Sequence, residues 1–283
     1  MNPTVAIVAP GSMGAAVGAR LLSRGARVLT SLEGRSAATC ERARAAGLTP
    51  VADPDLVEVD FLLSIVPPAH AIALAERLAP SLHAASRKPV FVDCNAVSPE
   101  TMQRIAGIIA AAGAPCVDAG IIGMPPRAGQ SGPNFYASGP HAERFEALER
   151  YGIDVRVLAR PLGAASALKM SYAGITKGIT AVATAMLLAA TRGDVADALS
   201  AELAQSQPSL LAAFKRTVPG MFPKAYRWVA EMREIAAFAR EDAAAAQIFE
   251  GASALYDHMA SDVAGERRDA RRLERFLSER DDR

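Results

Sequence analysis

The stretch Thr4-Val5-Ala6-Ile7-Val8-Ala9-Pro10-Gly11-Ser12-Met13-Gly14 decides the fold. Its first five residues form a short β-branched run without polar interruption, the pattern of a parallel strand covered on both faces. The run enters a tight turn, and Ala15 to Ser23 then reads as a helix closed by Gly25. Strand, glycine turn and helix in this order make a dinucleotide-binding unit. The pyrophosphate approaches the backbone at the positive end of the helix, where a Cβ would hold it away. Gly11 takes the close-approach position and Gly14 the point where helix meets strand, with Ser12 and Met13 completing the turn. Ala9 stands where the usual pattern has its first glycine, so the fingerprint is imperfect.

Ala26 to Thr30 follows as the second strand, and the residue that reads the ribose is expected about 20 positions after the glycine turn. That position is Ser31, not Asp or Glu. Without a carboxylate nothing repels a 2′-phosphate, and Arg35 and Ser36 offer a guanidinium and a hydroxyl to bind it. The expected cofactor is therefore NADP rather than NAD, although Glu33 is placed to hold a ribose hydroxyl instead.

Further strand signals lie at Phe61 to Val66, Pro89 to Asp93, Cys116 to Gly120 and Phe135 to Gly139. Ligands in open α/β sheets sit beyond the carboxyl ends of the strands. Val66, Pro67, Asn95 and Gly120 to Gly123 are therefore expected to line one crevice. From Gly163 the strand signals stop and the chain becomes Ala-, Leu- and Ile-rich, punctuated by Gly193, Pro208, Pro219-Gly220 and Gly251. The expected architecture is α/β: a Rossmann-type, doubly wound, mostly parallel sheet over residues 1–160, then an all-α domain over 161–283.

Of the 31 basic residues among 283, 26 are Arg and only five are Lys, so each lysine is worth locating. Lys169 and Lys177 fall in the first helix of the second half, Ala164 to about Thr191. Burying an ammonium without a partner costs several kcal/mol, so each either reaches solvent or lines a functional cavity. About 80° separates them around the helix, a shared broad side but no narrow stripe. Lys169, in the second turn, is the candidate general acid/base. The same helix has few polar residues on any face and must be covered; a homodimer partner is the expected cover, with later helices of the same chain as the alternative.

A formal charge of +1 gives no bulk drive toward nucleic acid or an anionic membrane. The last 19 residues hold seven Arg and six acidic residues around Leu273, Phe276 and Leu277, the pattern of a docked surface helix. No basic residue precedes the N-terminal apolar run. The longest uncharged apolar helix candidate, Gly178 to Thr191, is shorter than the roughly 18–20 residues that span a bilayer. A cytoplasmic protein acting on a small molecule is expected. Cys40, Cys94 and Cys116 are in no close-spaced pattern and read as reduced small hydrophobes, and no metal site is expected.

These residues together resemble the β-hydroxyacid dehydrogenase superfamily, which includes 3-hydroxyisobutyrate and 6-phosphogluconate dehydrogenases. The turn Ala9 to Gly14 is similar to the family's first turn. Asp93-Cys94-Asn95-Ala96-Val97-Ser98-Pro99-Glu100-Thr101 resembles its segment ending in a Pro-Glu-Thr helix start, and Gly163 to Lys169 its catalytic helix. Met232-Arg233-Glu234-Ile235 echoes a later motif near the cofactor. The resemblance implies a catalytic Lys169, a substrate-orienting Asn95 and a cofactor contact at Arg233.

Two departures stand out. Ile122-Gly123-Met124 replaces a Ser-Gly-Gly substrate contact, and Tyr172-Ala173 stands where the family has Asn. Lys177 occupies the position of a phosphate-contacting Tyr and can retain an anion. Losing Ser and Asn together argues against 6-phosphogluconate itself, because a polyol's hydroxyls would go unpaired at ~1–3 kcal/mol each. The segment Lys169 to Gly178 most resembles the 6-phosphogluconate dehydrogenase-like branch with a distinctive C-terminal domain. The implied activity is hydride transfer between NADP(H) and a small hydroxy or keto compound, with Lys169 as acid/base and Tyr172 assisting. Imine reduction, a 6-phosphogluconate-type decarboxylating reaction and a catalytically silent NADP(H) sensor are the alternatives.

Overall fold

The computed structural model describes residues 2–8, 10–127 and 129–278. Ala9, the departure in the glycine turn, lies outside the described residues. The chain divides into two compact units, Met1–Met170 and Ser171–Arg283.

The first unit runs β1 (Thr4–Val8), α1 (Ser12–Ser23), β2 (Arg27–Thr30), α2 (Ala37–Ala45), β3 (Thr49–Pro50), α3 (Asp53–Leu56), β4 (Phe61–Ser64), α4 (Ala71–Ala84) and β5 (Val90–Asp93). It continues with α5 (Pro99–Ala111), β6 (Cys116–Ile122), β7 (Asn134–Ser138), α6 (Ala142–Phe145), β8 (Asp154–Val157) and the start of α7 (Ala164–Arg192). The eight strands form one sheet in the order β3-β2-β1-β4-β5-β6-β7-β8, parallel except where β7 meets β6. The doubly wound, mostly parallel sheet read from the sequence is therefore present. Its winding reverses between β1 and β4, which opens a crevice at their carboxyl ends.

Each inner strand is buried on both sides, which explains the uninterrupted apolar runs. Val5 and Ile7 join Val17, Leu21 and Phe145 in one core, while Ala6 and Val8 join Leu74, Leu78, Met102 and Ile105 in the other. Phe145 meets the rings of Phe61 and Phe135 at 6.5 and 6.0 Å. The Pro-Glu-Thr start of α5 is a helix cap: the Ser98 hydroxyl accepts the Thr101 amide, Pro99 needs no partner in the first turn, and Glu100 favours the positive end. The two strands absent from the sequence reading, β3 and β8, are the two edge strands of the sheet, of two and four residues. Neither is long enough to show a clear alternation.

The second unit is helical: α7 from Ser171, then α8 (Ala196–Ser206), α9 (Pro208–Met221), α10 (Ala225–Phe238), α11 (Ala243–Ala264) and α12 (Arg268–Ser278). The boundary between the compact units falls inside α7, and the start of that helix is hydrogen-bonded to the sheet through Asp118. Leu273, Phe276 and Leu277 are buried on α12, the docking edge expected from their spacing. Asp269 on that helix gathers Arg192, His258 and Arg272.

Helix α7 is long and apolar enough to cross a membrane by length and composition, contrary to the shorter span read from its uncharged core, but half of its most apolar window is buried in the chain. The buried hydroxyls of Thr180 and Thr184 return to the carbonyls of Thr176 and Thr180, so they need no partner from elsewhere. On its open side, Tyr172, Ile175, Ile179, Val182 and Met186 form an exposed stripe.

Two buried carboxylates, Asp93 and Asp118, sit side by side in register on β5 and β6. Burial pushes the Asp93 carboxyl up to about 7 against hydrogen bonds from Asn95 and Ser64, with the neighbouring Asp118 adding to the rise. Burial, and then these same two carboxylates, raise the Cys94 and Cys116 thiols, which keeps both as unreactive small side chains. An acid raised on folding stabilises most below its unfolded value, near 3.8, and loses that contribution as pH rises through its folded value. Unfolding free energy measured from pH 4 to 8 is therefore expected to carry a downward component toward pH 7 from Asp93. Asp93→Asn should remove that component, and equal slopes in both proteins would contradict it.

Candidate functional site

The glycine turn leaves the start of α1 open. Gly11 precedes the helix with no side-chain cap, the first turn has no acidic residue, and a Cβ built on Gly11 would meet nothing within 4 Å. Free amides at a positive helix end beside an unobstructed backbone fit a dinucleotide pyrophosphate. Gly14 is buried beneath this surface. One turn further on, Gly18 brings α1 against Leu48, where a Cβ would stand 2.9 Å from the side chain.

Ser31 is buried at the end of β2, while Arg35 is exposed. The Ser36 hydroxyl caps α2, accepting the Thr39 amide and sharing a hydrogen bond with the Thr39 hydroxyl, and it is exposed. A cation missed in the sequence reading stands closer to the turn. From the last turn of α2, the Arg42 guanidinium reaches the carbonyl of Pro10 at 3.4 Å. Spacing along the chain gives no sign of this contact, which arises only when α2 packs beside the turn.

Across the crevice, Asn95 joins the ends of β4 and β5. Its Nδ2 donates to Ser64 Oγ and to Asp93 Oδ2, both at 2.7 Å, and its Oδ1 accepts the Val66 amide at 2.7 Å. Both amide hydrogens are used within the protein, so Asn95 has no donor left for a substrate. It acts as a clamp that orients the Val66 backbone and the exposed Pro67 beside it. Ser64 and Asp93, its partners, were not singled out in the sequence because strand-end polar residues look alike until the sheet aligns them.

Lys169 is half-buried in the second turn of α7, and its ammonium donates to the carbonyl of Ile121 near the end of β6. Gly120 permits this approach: a Cβ there would stand 2.9 Å from the Ala165 carbonyl oxygen and 3.1 Å from Lys169 Cβ. Ile122, the last residue of β6, is half-buried, and Met124, beyond the strand, is 64% exposed. Gly123 turns between them with φ of +131°, its Cα facing Pro133 too closely for a side chain. Thus Gly11 to Gly14, Ser31, Val66, Pro67, Asn95, Ile122 to Met124 and Lys169 all belong to the carboxyl-end side of one sheet.

Tyr172, Lys177 and Arg233 belong to the second unit. Tyr172 and Arg233 are exposed. Lys177 forms an ion pair with Glu231, its ammonium lies 5.0 Å from the Trp228 ring centre, and its side chain is only 17% exposed. The Tyr256 hydroxyl donates to the Lys177 carbonyl, and its ring meets Trp228 edge-on at 5.1 Å. The charge expected to hold a substrate anion is instead neutralised inside the helical unit. Among the described residues no group of three or more His, Cys, Asp or Glu side chains is arranged to hold a metal ion.

The chain is similar to several known proteins. A conserved protein of unknown function, described as structurally similar to 3-hydroxyacid dehydrogenases, is 30% identical over 90% of this chain and 99% of its own, with a TM-score of 0.65. The 3-hydroxyisobutyrate dehydrogenase of Mycobacterium tuberculosis, solved with L-serine, shares the fold at 19% identity over 93% of this chain and 96% of its own, with a TM-score of 0.67. An imine reductase from Myxococcus stipitatus in complex with NADP+ does so at 19% identity over 98% and 100%, with a TM-score of 0.58. Residues 190–259 match a domain of unknown function, DUF1932, and residues 4–154 match the NAD binding domain of 6-phosphogluconate dehydrogenase. With a nicotinamide-dinucleotide-binding Rossmann unit followed by that helical domain, the chain belongs to the 6-phosphogluconate dehydrogenase-like family.

Proposed function

We propose that the protein is an NADP-dependent oxidoreductase acting between a small hydroxy compound and its keto form, with Lys169 as general acid/base. The observation that carries this reading is the half-buried Lys169 ammonium held by the Ile121 carbonyl at the carboxyl end of β6. The nicotinamide, when bound, supplies or takes up the hydride. Lys169 handles the proton: its amine accepts the hydroxyl proton as the alcohol is oxidised, and its ammonium returns a proton to the carbonyl oxygen in reduction. Tyr172, exposed one turn further along α7, is the second hydrogen-bonding group proposed for substrate. Ile122 and Met124 suit a compact substrate with few hydroxyls.

Preference for NADP is supported by the absence of a carboxylate at Ser31, the exposed Arg35, and the Arg42 guanidinium beside Pro10. A second copy of the chain is the proposed cover for the stripe on α7, where Ile175 and Val182 are 65% and 60% exposed. Positions 172, 175, 179, 182 and 186 alternate steps of three and four, the spacing of a helix-to-helix seam.

Three measurements test this. Gly11→Val adds a side chain into open space, so thermal stability should hold while NADPH binding weakens about tenfold or more, a loss of about 1.4 kcal/mol. Lys169→Ala should lower turnover by ~10²–10⁴ with NADPH affinity intact, assayed as NADPH oxidation over ketoacids, aldehydes, hydroxyketones and cyclic imines. Turnover confined to imines and surviving the substitution would assign imine reduction instead, and tight NADPH binding with no turnover would favour a sensor. Val182→Glu should convert a dimer to a monomer in sedimentation, and a wild-type protein that sediments as a monomer would defeat the dimer.

A further inference from the structure

We infer that Asp118 is a positioning residue for Lys169, fixing the axial and rotational setting of the start of α7, residues 164–170, on the sheet. The inference rests on the reading of Lys169 as acid/base. Gly163, which precedes α7, has no side chain to cap it, and the helix start is capped instead from the sheet. Asp118 Oδ2 accepts the amides of Gly163 at 3.0 Å and Ser166 at 3.1 Å, together with the Ser138 hydroxyl at 2.8 Å. Its Oδ1 accepts the Ser166 hydroxyl at 2.7 Å, and Ser138 Oγ in turn accepts the Ala165 amide at 3.0 Å.

One buried carboxylate thus gathers four donors, three of them from the entrance to α7. A negative charge at that end also opposes the positive end of the helix dipole. Asp118 and Gly120 lie two residues apart on one face of β6, so the same strand face that grips the helix start offers no Cβ where the next turn passes. Ile121 then accepts from Lys169. Strand β6 holds the helix at its start, through Asp118, and at the reacting amine, through Ile121, three positions along the strand. Axial slippage by one residue, about 1.5 Å, would break both.

The test reads Lys169 directly and needs no substrate. Trace acetylation with acetic anhydride, resolved by mass spectrometry across pH in the presence of NADPH, gives the reactivity and titration midpoint of each lysine. In Asp118→Asn, Lys169 should label several-fold faster with a displaced midpoint, while Lys88 and Lys224 label as in wild type and NADPH affinity stays within about twofold. Ser138→Ala, which removes one hydroxyl and keeps the carboxylate, should move Lys169 less and in the same direction. It decides the matter alone if Asp118→Asn does not fold. Lys169 labelling identical to wild type in a variant whose thermal midpoint has fallen would make Asp118 a purely structural cap and overturn the inference. Full turnover by Lys169→Ala would instead defeat the acid/base reading and leave the labelling result standing.

Discussion

The first two turns of α7 are brought against strand β6 at a point where the strand has no side chain. Backbone and Lys169 Cβ come so near Gly120 that any other residue would have to push the helix away. The amine of Lys169 would then lose the Ile121 carbonyl. Most of the candidate chemistry follows from this contact. The Rossmann sheet supplies an edge at which a dinucleotide can lie, but hydrogen-bonding groups on that edge are largely committed to the protein itself. Asn95 binds Ser64, Asp93 and Val66, and Ser36 holds a helix start. Lys169 therefore bears the proposed proton transfer.

Buried polar groups at the sheet's carboxyl edge stiffen it at a cost. Asp93, placed beside Asp118 without a cation, is difficult to ionise, yet it fixes the Asn95 amide, and through it the Val66 backbone. Such a network is stabilising only while every member is satisfied. Asn95, Ser64 and Asp93 are all buried, so this network supports the crevice from beneath its surface.

What could be read from sequence alone follows from how local the determining physics is. The limits of β1 and the start of α7 follow from runs of apolar residues and from glycine, and the structure has them at Thr4–Val8 and Ala164. Edge strands β3 and β8 were missed because a two- or four-residue strand at an edge is specified by its neighbour more than by itself. The partners of polar residues were the other gap. Nothing near Lys177 in the chain announces Glu231 and Trp228, and nothing near the glycine turn announces Arg42. Both pairings are made by helices returning from tens of residues away. Asp118 is legible only as a strand residue; that it caps a helix 45 residues later requires the folded sheet.

The pairing of Lys177 with Glu231 has a consequence for how this helical unit can diverge. Each side chain is mostly withdrawn from water, so losing one partner alone would strand the other's charge beside Trp228 and Tyr256, a change that typically costs 3–5 kcal/mol in buried pairs. Exchanging both for apolar residues of similar volume is far cheaper by the same reasoning. Positions 177 and 231, 54 residues apart, are therefore coupled in their effect on stability: a substitution at either is expected to be tolerated best when the other changes with it.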